Sequence, residues 1–164
     1  MQQGCVREMV SVVPKVQVSV KIEASPKVVW AAIDDIATHV EWMRDATEIR
    51  FISPQRSGVG TTFDCETRVG PLRTTDRMTI TEWSPGRAMG VDHIGVIRGR
   101  GRFTLRRGRR GTTRFAWEER LLFPWWLGGP LGALVAKPVL TAVWRRSLGD
   151  LKARIEATNP PDSG

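Results

Sequence analysis

The sequence predicts an α+β domain: a curved, seven-stranded antiparallel sheet closing around one long C-terminal helix, with two short helices after the first strand. Three observations predict it. Most of the chain between Lys15 and Phe123 alternates apolar and polar residues at the period of two that marks half-buried strands. The segment Leu121 to Ala157 changes period, with Leu131, Leu134, Pro138, Thr141, Arg145, Leu148, Leu151 and Ile155 recurring three and four apart. Between the first strand and the rest, Ser25-Pro26 supplies a helix cap and a proline suited to a first helical turn.

The elements follow in order. Lys15 to Glu23 reads Lys-Val-Gln-Val-Ser-Val-Lys-Ile-Glu, which puts Val16, Val18, Val20 and Ile22 on one face of a strand. Val28, Val29, Ala32, Ile33 and Ile36 space as a short helix, and a second turn carries Val40, Trp42 and Met43. Ile49 to Ile52, Thr61 to Val69 and Leu72 to Trp83 return to the strand period, the last two joined by a tight turn at Gly70-Pro71. That turn places Phe63 opposite Met78, Cys65 opposite Asp76 and Thr67 opposite Thr74, so Asp76 should face inward.

Arg87 to Ile94 is ambiguous in register; the larger apolar payload of Met89 and Val91 turns His93 inward. Arg98 to Arg106 sets arginines on one face and Gly99, Gly101, Phe103 and Leu105 on the other. Thr113 to Phe123 follows, with Phe115, Trp117, Glu119 and Leu121 inward. Aligning Phe103 with Phe115 sets Gly101 against Trp117 and Gly99 against Glu119, glycines making room for large side chains. The break Phe123-Pro124-Trp125-Trp126-Leu127-Gly128-Gly129-Pro130 precedes the last helix, whose first half should be buried nearly all round, since Leu127, Val135, Leu140 and Val143 widen its apolar side.

At 164 residues, with 41% hydrophobic and 26% charged residues, the chain suits one domain over residues 15–157, with an N-terminal extension at 1–14 and a frayed tail at 158–164. Leu121 to Ala136 is uncharged but too short and too interrupted by proline and glycine to span a bilayer. Cys5 and Cys65 share no motif spacing, which points to a reducing, cytoplasmic compartment. With only His39 and His93 beside them, no metal site is expected, and no motif calls for a cofactor.

The net charge is +8, from 25 Lys and Arg against 17 Asp and Glu, and nine arginines lie between Arg98 and Arg120. Such a field draws anions. Arg98, Arg100, Arg102, Arg106, Arg107, Arg109, Arg110 and Arg114, with Trp125 and Trp126 beside the Gly-Gly-Pro loop, suit docking on an anionic membrane surface. No groove-reading motif accompanies the charge, which argues against nucleic acid.

Several stretches together carry a family resemblance. They are Ala24-Ser25-Pro26-Lys27-Val28-Val29-Trp30, Trp42, Gly58-Val59-Gly60-Thr61, Trp83-Ser84-Pro85-Gly86-Arg87, Gly101-Arg102-Phe103-Thr104-Leu105 and Thr113-Arg114-Phe115-Ala116-Trp117-Glu118. In element order and in these stretches, Val16 to Ile155 resembles the START-like polyketide cyclase/dehydrase and lipid-transport superfamily, which has the helix-grip fold. The resemblance implies a hydrophobic cavity between sheet and helix that holds a lipid or polyketide-like molecule. Some members of that superfamily cyclise or dehydrate a bound polyketide.

The expected lining is Phe63, Cys65, Thr67, Thr74, Asp76, Met78, Val91, His93, Phe103, Phe115, Trp117, Glu119, Leu134, Val135 and Pro138. Asp76, Glu119 and His93 are the candidates for proton transfer, since a carboxylate in a dry cavity is costly unless paired and histidine titrates near neutrality. Each acid has a plainer alternative, a neighbouring arginine or a place at the rim. Cys65 reads as an inert core thiol. The leading expectation is a carrier of a hydrophobic small molecule. The alternatives are a cyclase or dehydratase and a membrane-docking module.

Overall fold

A computed structural model describes residues 15–159. Strand β1 (Lys15–Ile22) leads into helix α1 (Pro26–Ala31), where the Ser25 side chain caps the Val28 N–H and Pro26 occupies the first turn. A 3-10 turn (Ile36–Glu41) follows, capped by Asp35. Then come β2 (Ala46–Phe51), β3 (Thr62–Val69), β4 (Leu72–Ser84), β5 (Ala88–Ile94), β6 (Arg98–Arg107) and β7 (Thr113–Leu122), and finally α2 (Gly129–Thr158). All pairings are antiparallel in the order β1-β7-β6-β5-β4-β3-β2, so the first strand closes on the last. The fold is the helix-grip arrangement expected from the residue pattern.

The β3–β4 register is the expected one, with Phe63 on Met78, Cys65 on Asp76 and Thr67 on Thr74. The β6–β7 register differs by two residues. Phe103 lies opposite Trp117, Gly101 opposite Glu119 and Gly99 opposite Leu121. A shift of two keeps every side chain on its face, so the inward set is the expected one while its partners are not. The physical reason is the connection, which is longer than a tight turn: Gly108 begins a 3-10 turn (Arg109–Gly111) in which Arg110 is left-handed, and Arg107 pairs with Thr113.

Helix α2 also departs from expectation. Its buried stripe runs through Ala133, Trp144, Ser147, Leu148, Leu151 and Ile155, and its first half exposes Leu131, Leu134, Val135 and Val139. The second half is anchored on several sides. Ser147 Oγ accepts the Arg44 N–H at 2.9 Å, Asp150 takes a two-pronged bond from the Arg44 guanidinium, and Glu156 accepts the Glu23 N–H. Thr158 still belongs to the helix and Asn159 caps it; the rest of the expected tail, the N-terminal extension and Cys5 lie outside the described residues. No helix among the described residues is long and apolar enough to cross a membrane.

Candidate functional site

Antiparallel pairing brings the β3–β4 turn, the β5–β6 turn, the exit of β7 and the start of α2 to one end of the molecule. Under that end, between the sheet and α2, lies a cavity of about 140 Å³. Its walls are largely apolar: Met43, Ala46, Cys65, Val69, Leu72, Met78, Ile97, Trp117, Leu121 and Phe123 from one side, Ala136, Val139, Leu140 and Trp144 from α2. A second hollow of about 70 Å³ adjoins it, lined by Phe63, Met89, Val91 and Phe103 among others. Met43, Cys65, Met78, His93 and Glu119 border both, so these five side chains form the partition.

Polar groups are few and grouped. Glu119, 4% exposed, accepts the Trp117 indole N–H on Oε1 at 2.8 Å. Its Oε2 lies 3.2 Å from His93 Nε2 without the alignment of a hydrogen bond, and neither atom has another partner. Burial works against a charge on His93. The facing Glu119, with Asp76 and Asp92 farther off, outweighs it and holds the imidazole pKa above its ordinary value.

Asp76, 3% exposed, accepts the Thr74 hydroxyl at 3.1 Å and the Ile97 N–H at 3.3 Å. Neither acid meets an arginine or reaches the rim, so the plainer reading of both fails. Two glycines make this possible: a Cβ at Gly101 would collide with Glu119 Oε1, and one at Gly95 with Asp76 Oδ1. The sequence expectation that inward glycines clear space holds, with Glu119 in place of Trp117 beside Gly101.

A third acid, Asp45, has no counterpart in the sequence expectation. It sits between the 3-10 turn and β2, where no periodic pattern marks it. Its Oδ2 accepts the Trp144 indole N–H at 2.8 Å and its Oδ1 has no partner. Burial pushes its carboxyl pKa up, the Trp144 and backbone N–H groups offset this only in part, and Glu119 adds to it. Trp144 had a signal: Leu140, Trp144, Leu148, Leu151 and Ile155 form a continuous helical stripe.

Of the expected lining, Cys65, Thr67, Thr74, Asp76, Met78, His93, Trp117 and Glu119 surround the larger cavity, and Phe63, Val91 and Phe103 the smaller. Four residues do not line either. Leu134 (59% exposed), Val135 (76% exposed) and Pro138 face solvent, because α2 is rotated so that Ala136 and Leu140 look inward, with the half-exposed Val139 at the cavity edge. Phe115 is fully buried against Phe103 as packed core. Burial pushes the Cys65 thiol up to about 12, which suits an inert core residue.

The arginines of β6 project to the opposite face of the sheet. Arg100 pairs with Asp92 and Arg102 with Glu82, whereas Arg98 and Arg106 stand exposed. Trp125 (87% exposed) and Trp126 lie at the cavity end, on a short turn leading into α2.

The sequence profile of the family described as polyketide cyclase / dehydrase and lipid transport matches residues 13–156. Three solved structures share the fold. TTHA0849 of Thermus thermophilus is 16% identical, with a TM-score of 0.73 over 89% of this chain and 99% of that one. The Zhui aromatase/cyclase of Streptomyces sp. R1128 is 13% identical, with a TM-score of 0.70 over 92% and 98%. A START superfamily protein of Mycobacterium smegmatis is 10% identical, with a TM-score of 0.72 over 88% and 99%. Among curated proteins, no sequence matches this chain.

Proposed function

Because this chain belongs to the polyketide cyclase/dehydrase and lipid-transport family, we propose that it binds one small hydrophobic molecule in the hollow between the sheet and α2. The observation that carries this reading is the cavity of about 140 Å³, apolar over most of its wall, with polar atoms of Asp45, His93 and Glu119 left without hydrogen-bond partners beside it. Ligand sites are built this way, apolar for affinity with a few polar groups for orientation. An unpaired buried polar atom costs about 1–3 kcal/mol, which a ligand that supplies the missing bond returns on binding. The hollow is smaller than the ~300 Å³ at which pockets for drug-sized ligands begin. The conformation described therefore suits a single-ring molecule, and anything larger requires the first half of α2 to swing away.

Native mass spectrometry of the protein as purified, followed by calorimetric titration with the neutral single-ring probe acetophenone, is expected to show about one equivalent bound. Ala136→Phe, which fills the cavity from α2, should abolish it. Absence of both a co-purified mass and a saturable response would sink the reading.

A second reading is acid–base chemistry on the bound molecule, favoured by the convergence of Asp76, His93 and Glu119 on one cavity. Glu119 Oε2 faces His93 Nε2 at 3.2 Å while the Trp117 indole N–H holds Glu119 Oε1, which sets a carboxyl beside an imidazole at the cavity wall. For a small cyclic ketone in D2O, faster exchange of its α-protons with the native protein than with His93→Gln supports it. Equal rates remove it.

A further inference from the structure

The outside of this protein and the inside of its cavity carry opposite charge. The chain has a net charge of +8, yet the larger cavity is lined by no lysine or arginine and by three carboxyl groups, Asp45, Asp76 and Glu119, against one imidazole, His93. Among the described residues, His93–Glu119 is the only ion pair that any of these three acids makes. Asp76 is held by a hydroxyl and a backbone N–H, and Asp45 by an indole N–H, all neutral donors. Asp45 Oδ1 is a buried acceptor with no donor, and Glu119 Oε2 has only the misaligned His93 Nε2 at 3.2 Å. The arginines nearest in sequence stand on the far face of the sheet, where water screens them.

A ligand carboxylate placed here would add a fourth acid to a site short of positive charge, and burying it unpaired is strongly unfavourable. A hydroxyl would donate one bond. An ammonium would donate up to three bonds and supply the missing charge.

We infer that this cavity selects a protonated amine, an apolar body of single-ring size whose cationic head sits among Asp45, Asp76 and Glu119. The inference rests on the binding reading above and names the ligand class for that same site. It differs from the anions that an arginine-rich exterior draws, since the exterior field acts on approach and the lining decides what stays.

Three probes of nearly equal shape separate the possibilities: benzylamine, benzyl alcohol and benzoate, titrated at pH 7 by calorimetry into the full-length protein. Benzylamine is expected to bind at least about tenfold more tightly than the other two. Asp45→Asn and Glu119→Gln, which keep shape and remove charge, should each cut its advantage severalfold, with folding checked by circular dichroism. Benzoate or benzyl alcohol binding as tightly as the amine would overturn the charge inference and leave the cavity reading standing. Failure of all three at millimolar concentration would overturn both. An amine preference untouched in both variants would overturn the assignment to these carboxylates.

Discussion

Replacing Trp144 by alanine is expected to lower the free energy of unfolding by about 3–5 kcal/mol, the range for removing a large buried aromatic side chain. Trp144 is 3% exposed, stacks on Trp117 with ring centroids 4.7 Å apart and planes 21° from parallel, and donates its indole N–H to Asp45. The substitution removes all three contributions at once. It enlarges a hollow that already exists, so little surrounding structure can collapse to fill it. It also leaves Asp45 with no side-chain donor on either oxygen. Trp144→Phe separates packing from hydrogen bonding: it keeps most of the stacking area and loses only the donor, for an expected cost of about 1–3 kcal/mol. Urea denaturation followed by circular dichroism at pH 7 measures both. A loss below about 1 kcal/mol for the alanine variant would mean that the helix is held on the sheet by other contacts.

Trp144 also marks the boundary between two halves of α2. From Trp144 onward the helix is tied to the 3-10 turn, the Arg44–Asp45 connection and β1 through Ser147, Asp150, Arg154, Lys152 and Glu156. Before it, Leu131, Leu134, Val135 and Val139 are exposed, while Ala136 and Leu140 roof the cavity. The helix is therefore anchored beyond the cavity and lightly held above it. Segments with few buried contacts are those that open at low cost. For the ligand proposed above, this asymmetry places the route of entry at the first half of α2, where opening leaves the sheet undisturbed.

Much of this architecture was legible in the residues. Alternation identified most strands because one face of the sheet is buried and the other is wet; β5, with Ala88, Met89 and Gly90 all buried, does not alternate, and its register was ambiguous in the residues. The same alternation put Asp76 and Glu119 on the inner face, and the apolar payload of Met89 and Val91 put His93 there. Register was legible only where Gly70-Pro71 forced a tight turn. Across Arg107–Gly111 the connection is longer, and partner assignment slipped by two.

The first half of α2 was illegible for a different reason. Its exposed face is apolar, so composition could not tell roof from outside, and the rotation is set by Trp144 docking between Asp45 and Trp117. Asp45 was invisible because it belongs to no periodic element. Its burial follows from a tertiary contact 99 residues away.

His39 sets the second large effect, on stability against pH. Its ring is 5% exposed, donates Nε2–H to the Ile33 carbonyl at 2.7 Å, and is flanked by Trp42 and Phe103 at 5.2 and 6.0 Å. Burial lowers its pKa from 6.5 to about 4, although the Ile33 carbonyl and Asp35 pull the other way. A depressed histidine pKa means that between these values the unfolded chain binds a proton and the native one does not. Its contribution is present above pH 6.5 and is lost as pH falls toward 4, by about 3 kcal/mol in all.

His93 and Asp45 act in the opposite direction, because both have raised pKa values and so gain stability as pH falls. The His39 effect must therefore be isolated by difference. His39→Gln can still donate to Ile33 and cannot charge. Urea unfolding of both proteins between about pH 7.5 and 4 should give a constant difference above about pH 6.5 and a steadily shrinking or reversing one below it. Parallel curves through the whole range would show that the native state accepts a proton on His39 as readily as the unfolded chain does, and the aromatic enclosure would then not be excluding charge.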